Sequence, residues 1–261
     1  MRKLKFTKMV GSGNDFVVIT HKPAGNLAKL AKRLCDRKFG PGADGLLLLG
    51  KGKGADLSMR IFNADGSEAE MCGNGARCAA FFNGQAKASL LTGAGIVNTE
   101  VRGNQVKIQL TKPHDIKLDI PLMVNGRRIK ANFINTGVPH VVIFVSGIND
   151  LDVKNIGCQI RNHQKFLPRG TNVNFVQEQG ASLIRVRTYE RGVEDETLAC
   201  GTGTTAAALI FALKNNLDNL IKVQTQSGEI LKVSFQKQGA EFKKVWLEGS
   251  VRIVYKGECY V

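Results

Sequence analysis

The feature that most constrains how this chain folds is that its 261 residues carry one design twice. Set the sequence against itself at an offset of 128, the separation of Cys72 from Cys200, and the landmarks coincide. Cys72-Gly73-Asn74-Gly75 falls on Cys200-Gly201-Thr202-Gly203. Each is followed by small, helix-compatible residues, ARCAAFF in the first half and TTAAALIFAL in the second. The preceding stretches also match, SMRIFNADG against IRVRTYERG. Further upstream PGADGLLLLG lies against RGTNVNFVQE, with Asp44 over Asn172. Near the start of each half GNDFVVI resembles VPHVVIF, the offset slipping by two or three residues. After each cysteine segment, GIVNTEVRGNQVKIQL and IKVQTQSGEILKVSF read as alternating strands around a polar, Gly-containing turn, which predicts a hairpin in each. Equal order and equal spacing argue for duplication, hence two similar domains.

Each half holds two helical segments, LAKLAKRLCDR and the CGNG run in the first, IGCQIRNHQKF and the CGTG run in the second. Short strands outnumber them. This predicts an α+β fold of two pseudo-symmetric domains, each a curled, mostly antiparallel sheet around a central helix. The domains are expected at 1–118, completed by a C-terminal strand over 251–261, and at 119–250. The join is placed in TKPHDIKLDIPLMVNG, where Pro113 and Pro121 interrupt the strand pattern. Two such domains facing each other would form a cleft with one cysteine on each side, and the active site is expected there.

Composition excludes several functions. No apolar stretch approaches a membrane span and the N-terminus lacks a leader's apolar run, so no membrane partner and a cytoplasmic address are expected. The six cysteines, at 35, 72, 78, 158, 200 and 259, form no CxxC pair. Nor do they fall at zinc spacing with the four histidines, so thiols rather than disulfides or a metal site are expected. The net charge of +15 raises the possibility of a basic nucleic-acid-binding module. Against it, the basic residues are spread in short clusters (KLKFTK, RRIK, FKK). Aromatics make up only 7% of the chain and form no stacking platform, so no nucleic-acid partner is expected.

The chemistry lies in the paired cysteines. A helix start offers unpaired N–H groups and a field that favours negative charge, so a thiol placed there ionises more readily. Neighbouring glycines let a carboxylate approach the backbone donors. Inverting a carbon beside a carboxylate needs a proton removed from one face and another delivered to the opposite face. One thiolate and one thiol in equivalent places do this in either direction by exchanging protonation states. A redox pair would want CxxC. A cysteine hydrolase using His140 would leave the second cysteine and the duplication without purpose.

The segments KMVGSGNDFVVI, RKFGPGADGLLLL, FNADGSEAEMCGNGARC, VPH, GTNVNF and TYERGVEDETLACGTG together resemble the diaminopimelate epimerase family along essentially the whole chain. The resemblance implies a pyridoxal-free epimerase, without cofactor, that interconverts LL- and meso-2,6-diaminopimelate in lysine and peptidoglycan-precursor synthesis. It implies Cys72 and Cys200 as the base and acid pair, supported by His140 and Glu190. It implies Asn14, Asn63 and Asn174 as substrate-binding asparagines, with Glu190 and Arg191 holding the substrate's polar groups. Backbone donors for the α-carboxylate fall at Gly73 and Asn74, and at Gly201 and Thr202. Two positions depart from the pattern of some members, Val138 in place of Asn and Gly45 in place of Gln. Backbone, water or the nearby Asp44 would then serve the substrate there. A proline racemase-like activity is the alternative within the same superfamily, and phenazine-biosynthesis-type isomerases lack the cysteine pair. Exposed strands would let such a chain form a homodimer.

Overall fold

A computed structural model of the chain describes residues 3–21 and 23–261. Met1, Arg2 and Lys22, which the 1–118 domain includes, lie outside the described residues. The chain divides into two compact units, Met1–Gln109 with Glu248–Val261, and Leu110–Leu247.

The first unit runs β1 (Lys3–Gly11), β2 (Asn14–Ile19), α1 (Leu27–Cys35), β3 (Gly45–Gly50), β4 (Leu57–Asn63), β5 (Glu68–Ala69), α2 (Gly73–Asn83), β6 (Lys87–Thr92), β7 (Gly95–Arg102) and β8 (Gln105–Gln109). The second runs β9 (His114–Val124), β10 (Arg127–Asn135), β11 (Pro139–Phe144), α3 (Val153–Arg161), a 3-10 turn at Gln164–Phe166, β12 (Asn172–Gly180), β13 (Leu183–Glu190), β14 (Asp195–Thr197), α4 (Gly201–Lys214), β15 (Leu220–Gln224) and β16 (Ile230–Gln238). β17 (Glu241–Tyr260) begins in the second unit and ends in the first.

The duplication is visible pairing by pairing. β2 runs parallel to β3 across α1, as β11 runs parallel to β12 across α3. β4 runs parallel to β6 across α2, as β13 does to β15 across α4. Parallel neighbours need such a crossover, and a helix supplies it in all four cases. The hairpin pairs β1–β2, β3–β4, β6–β7, β7–β8, β9–β10, β10–β11, β12–β13 and β15–β16 are antiparallel, and the end of β17 lies on β1 as β9 lies on β10. Each unit is therefore a curled, mostly antiparallel sheet around a central helix.

The central helices are recognisable by what they bury. In α4 every residue from Gly203 to Ala212 is buried, and in α2 every residue from Asn74 to Ala80. Small side chains (Ala76, Ala79 and Ala80; Ala206, Ala207 and Ala208) let the sheets wrap closely around them. α1 and α3 are amphipathic instead. α1 sinks Leu27, Ala31 and Leu34 into a cluster with Val17, Ile19 and Leu46, leaving Lys29, Lys32 and Arg33 outward.

The division falls earlier than residue 118. His114–Val124 is one unbroken strand paired with β10, so TKPHDIKLDIPLMVNG is not a linker. Pro121 sits inside that strand opposite Lys130, and its carbonyl takes the Lys165 ammonium. A proline is tolerated in a strand wherever its missing N–H is not needed by the ladder. At the other end the first unit takes the chain back at Glu248 rather than at 251. No helix among the described residues is long and apolar enough to cross a membrane.

Candidate active site

In the first unit Cys72 is the N-cap of α2, with extended backbone (φ −140°, ψ 121°), and its Sγ accepts the N–H of Gly75 at 3.5 Å. A sulfur that receives a helix N-terminal donor sits where negative charge is favoured. The β1–β2 turn passes close by. A Cβ at Gly11 would lie 3.3 Å from the Asn74 carbonyl and 3.4 Å from Cys78 Sγ, so only glycine lets the turn reach the helix unhindered.

Beneath Cys72 runs a hydrogen-bonded chain. Arg77, fully buried on α2, donates to Asn74 Oδ1 (2.9 Å) and to Ser12 Oγ. Asn74 Nδ2 donates to Asn14 Oδ1, and Asn14 Nδ2 donates to Asp44 Oδ2 at 3.1 Å. Asp44 also binds Arg37 Nη2 (2.7 Å) and the Asp15 N–H. The carboxylate proposed to compensate for Gly45 is thus already engaged. Gly45 itself has little room, since a Cβ there would lie 3.1 Å from the Phe62 carbonyl. Asn63, exposed at the end of β4, donates from Nδ2 to Ser67 Oγ at 3.0 Å. Gly73 is half-buried at the first position of α2, ahead of the buried Asn74.

In the second unit Cys200 is the N-cap of α4 (φ −113°, ψ 115°) and is buried at 7% exposure. Its sulfur receives no capping N–H and lies 3.5 Å from Thr202 Oγ1. Gly201 and Thr202 are half-buried in the first turn, and the Thr202 carbonyl accepts Thr136 Oγ1 at 3.0 Å. Glu190, the last residue of β13, lies beside Cys200 and Thr197. Burial pushes its carboxyl above the ordinary range, although the hydrogen bonds from Thr197 and Cys200 pull the other way. Such a carboxylate is a stronger proton acceptor than one in water. Arg191 follows in the turn. Its N–H donates to Asn172 Oδ1 (2.8 Å) and its Nη1 to the Arg169 carbonyl (2.9 Å).

His140 is fully buried on β11, and its pKa is lowered to about 3 by burial, with the Arg191 charge adding to the effect. Asn174 is also fully buried. Its Nδ2 faces His140 Nδ1 (3.1 Å) and the Val141 carbonyl (2.9 Å), and its Oδ1 accepts Thr188 Oγ1 (3.0 Å). The amide nitrogen and oxygen of Asn174 are thus both engaged inside the unit. Asn172, two residues earlier, is the asparagine that touches the Arg191 turn, with its Nδ2 on the Pro139 carbonyl. Its position opposite Asp44 in the duplication was the available signal. Val138 is half-buried, and its carbonyl accepts the Thr136 N–H.

The two cysteine sites are equivalent in backbone and different in chemistry. In the duplication Glu190 corresponds to Ala64, Asn174 to Leu46 and Arg77 to Thr205. Cys72 therefore has a buried guanidinium on its helix, and Cys200 has a carboxylate at its side.

Comparison with known proteins places this arrangement. The family model described as diaminopimelate epimerase matches residues 6–120 and 132–254. The chain belongs to the diaminopimelate epimerase family. It is 43% identical to the diaminopimelate epimerase of Aquifex aeolicus over 97% of both chains. It is also 43% identical to that of Methanocella arvoryzae, over 99% of this chain and 97% of the other. The fold is shared more widely. A Bacillus anthracis phenazine biosynthesis protein of the PhzF family superposes with a TM-score of 0.77 at 15% identity, covering both chains completely. A hydroxyproline epimerase from Agrobacterium vitis, solved with trans-4-hydroxy-L-proline, gives 0.72 at 16% over 98% of this chain and 92% of its own. As a member of the diaminopimelate epimerase family, the protein is an isomerase of the cofactor-independent, two-cysteine epimerase and racemase type.

Proposed function

We propose that the protein interconverts LL- and meso-2,6-diaminopimelate, in the route to lysine and peptidoglycan precursors, with Cys72 and Cys200 as the two proton-transfer groups. The observation that carries this reading is that both cysteines occupy the N-cap of the buried central helix of their unit, in a chain 43% identical to two diaminopimelate epimerases over nearly its full length. The reading requires the two thiols to address opposite faces of one substrate Cα.

A Cα proton beside a carboxylate is very weakly acidic, so charge developing on the carboxylate has to be stabilised as the proton leaves. The N–H groups of Gly73 and Asn74, and of Gly201 and Thr202, belong to helix first turns, where the helix dipole favours such negative charge. Glu190 accepts a proton from the Cys200 side, and Arg191 is suited to fork onto the distal carboxylate. Asn14 and Asn63 offer amide groups to the ammonium and carboxylate ends.

Incubation of the reduced protein with LL-diaminopimelate in D₂O, without pyridoxal phosphate or metal, tests the reading. Cα deuteration together with appearance of the meso isomer is expected. Exchange into proline or 4-hydroxyproline but not into diaminopimelate would transfer the protein to the proline racemase-like alternative.

A further inference from the structure

The turn that carries Glu190 and Arg191 joins β13 to β14, and one residue closes it from both sides. The Glu194 N–H donates to the Glu190 carbonyl at 2.8 Å, and the Glu194 carboxylate accepts the Gly192 N–H at 2.9 Å. The same carboxylate accepts Arg161 Nε on both oxygens (3.1 Å each), with Arg161 Nη2 at 3.1 Å from Oε1. The hydroxyl of the buried Tyr189 donates to its Oε2 at 3.1 Å. Arg161 stands in the last turn of α3, and Gly170 leaves room for its guanidinium, since a Cβ there would collide with Nη1.

Backbone preference alone would place glycine at 194. Glu194 has a left-handed φ of 58°, which glycine adopts freely and a glutamate holds only where its surroundings fix it. The first unit fastens its equivalent loop differently. That loop, between the paired residues Phe62 and Glu68, is shorter than the one between Thr188 and Thr197. It packs directly on its helix: a Cβ at Gly66 would lie 2.7 Å from the Ala28 carbonyl of α1. In the second unit nothing lies within 4 Å of a Cβ at Gly192, and the longer loop is tied to α3 by charge instead. Asp195 adds a more exposed tie, to Lys154 at 2.7 Å.

Resting on the epimerase reading above, we propose that Glu194, clamped by Arg161, is a positioning residue that fixes the Glu190 carboxyl beside Cys200 for proton transfer. Arg191 has tethers of its own, its N–H on Asn172 Oδ1 and its Nη1 on the Arg169 carbonyl. The clamp therefore serves Glu190, whose carbonyl it holds, more than the substrate-binding arginine. Its effect belongs to the rate of the chemical step, where misplacing a group by about 1 Å costs about 100-fold.

The test pairs ¹⁵N relaxation of the Gly192, Val193 and Glu194 amides in the full chain with steady-state kinetics on diaminopimelate. Glu194→Gly removes the carboxylate and relieves the backbone, so the thermal midpoint should stay close to that of the wild type. The amide order parameters should fall from about 0.85 to below about 0.6. Over the same change kcat should drop about 100-fold, with KM within about threefold of wild type. Arg161→Met, a second variant that leaves the turn sequence intact, should loosen the same amides and lower kcat. Combining the two should cost little more than either alone. A turn that stays rigid in the folded variants would overturn the proposal. So would a loosened turn with kcat within about twofold of wild type, or a loss of kcat that only tracks a lowered midpoint. A wild-type protein silent on diaminopimelate would instead sink the epimerase reading and the positioning role with it, while the amide order still decides whether Glu194 clamps the turn.

Discussion

Asn14 and Asn74 stand 60 residues apart in sequence and share one amide–amide hydrogen bond, Asn74 Nδ2 donating to Asn14 Oδ1. Each amide is oriented by a charged group at its far side, Asn74 by the buried Arg77 guanidinium and Asn14 by the Asp44 carboxylate. Two side chains that flank the Cys72 helix start are thereby presented in one orientation before any substrate arrives. Pre-orientation of this kind is how binding groups avoid an ordering cost on association.

Asp44→Ala removes the outer anchor and leaves Cys72 untouched. KM for diaminopimelate is expected to rise about tenfold, the equivalent of one hydrogen bond, with kcat nearly unchanged. Steady-state kinetics on the purified variant read this directly. Arg77→Met strips a charged donor from a buried network and should cost about 2 kcal/mol or more of stability, seen as a lower midpoint in denaturant.

Gly203→Ala tests the packing beneath Cys200. The added Cβ collides with Asn174 Oδ1 and lies 3.3 Å from Cys200 Sγ, so Asn174 or the helix start must shift. Destabilisation of about 1–3 kcal/mol is expected, together with a fall in kcat larger than any change in KM. The equivalent Gly75→Ala meets Leu47 at 3.1 Å, and the flexible end of that leucine yields more easily. Thermal melts of the pair should rank them in that order.

Glu190→Gln separates function from stability. Burial raises the Glu190 pKa, so the folded state prefers the protonated acid. The ionised form therefore works against folding as the pH rises through that value. The glutamine variant should melt higher than wild type at neutral pH while losing about 10²- to 10⁴-fold in kcat. In the wild type, activity should fall as the pH drops through the raised pKa, and that acid limb should be missing from the residual activity of the variant.

His140 predicts an acid-side loss of stability. Its pKa is about 3 when folded, well below the ordinary value of 6.5. Between those values the unfolded chain binds a proton that the folded chain does not. Stability is thus full above about pH 6.5 and falls as the pH drops, by up to about 1.4 kcal/mol per pH unit. Denaturant unfolding from pH 7 to pH 4 should show a shallower dependence in His140→Gln than in wild type.

The duplication made the fold legible. A period of 128 residues carries two cysteine helices, and both head a buried central helix; the two predicted hairpins also form, as β7–β8 and β15–β16, although the parallel pairings make β15 the equivalent of β6 rather than of β7. The boundary was less legible, because Pro113 and Pro121 look like punctuation. Yet Pro121 lies inside β9 at a position that tolerates it. In the candidate site the cysteines stood out by repetition. Asn174 and Asn172 differ by two places on one strand and so share a face, and sequence alone does not separate the one packed under the helix from the one touching the Arg191 turn. Arg77 was hidden for a related reason: a lone arginine in a helix ordinarily faces water, and only the folded structure places it at 0% exposure.

The central claim is that both thiols are needed, one for each face of the substrate carbon. The most direct measurement compares Cys72→Ala and Cys200→Ala with wild type for conversion of LL- to meso-diaminopimelate, with folding confirmed for each variant. The account predicts that neither variant completes the inversion. Near-normal turnover by either one would contradict it.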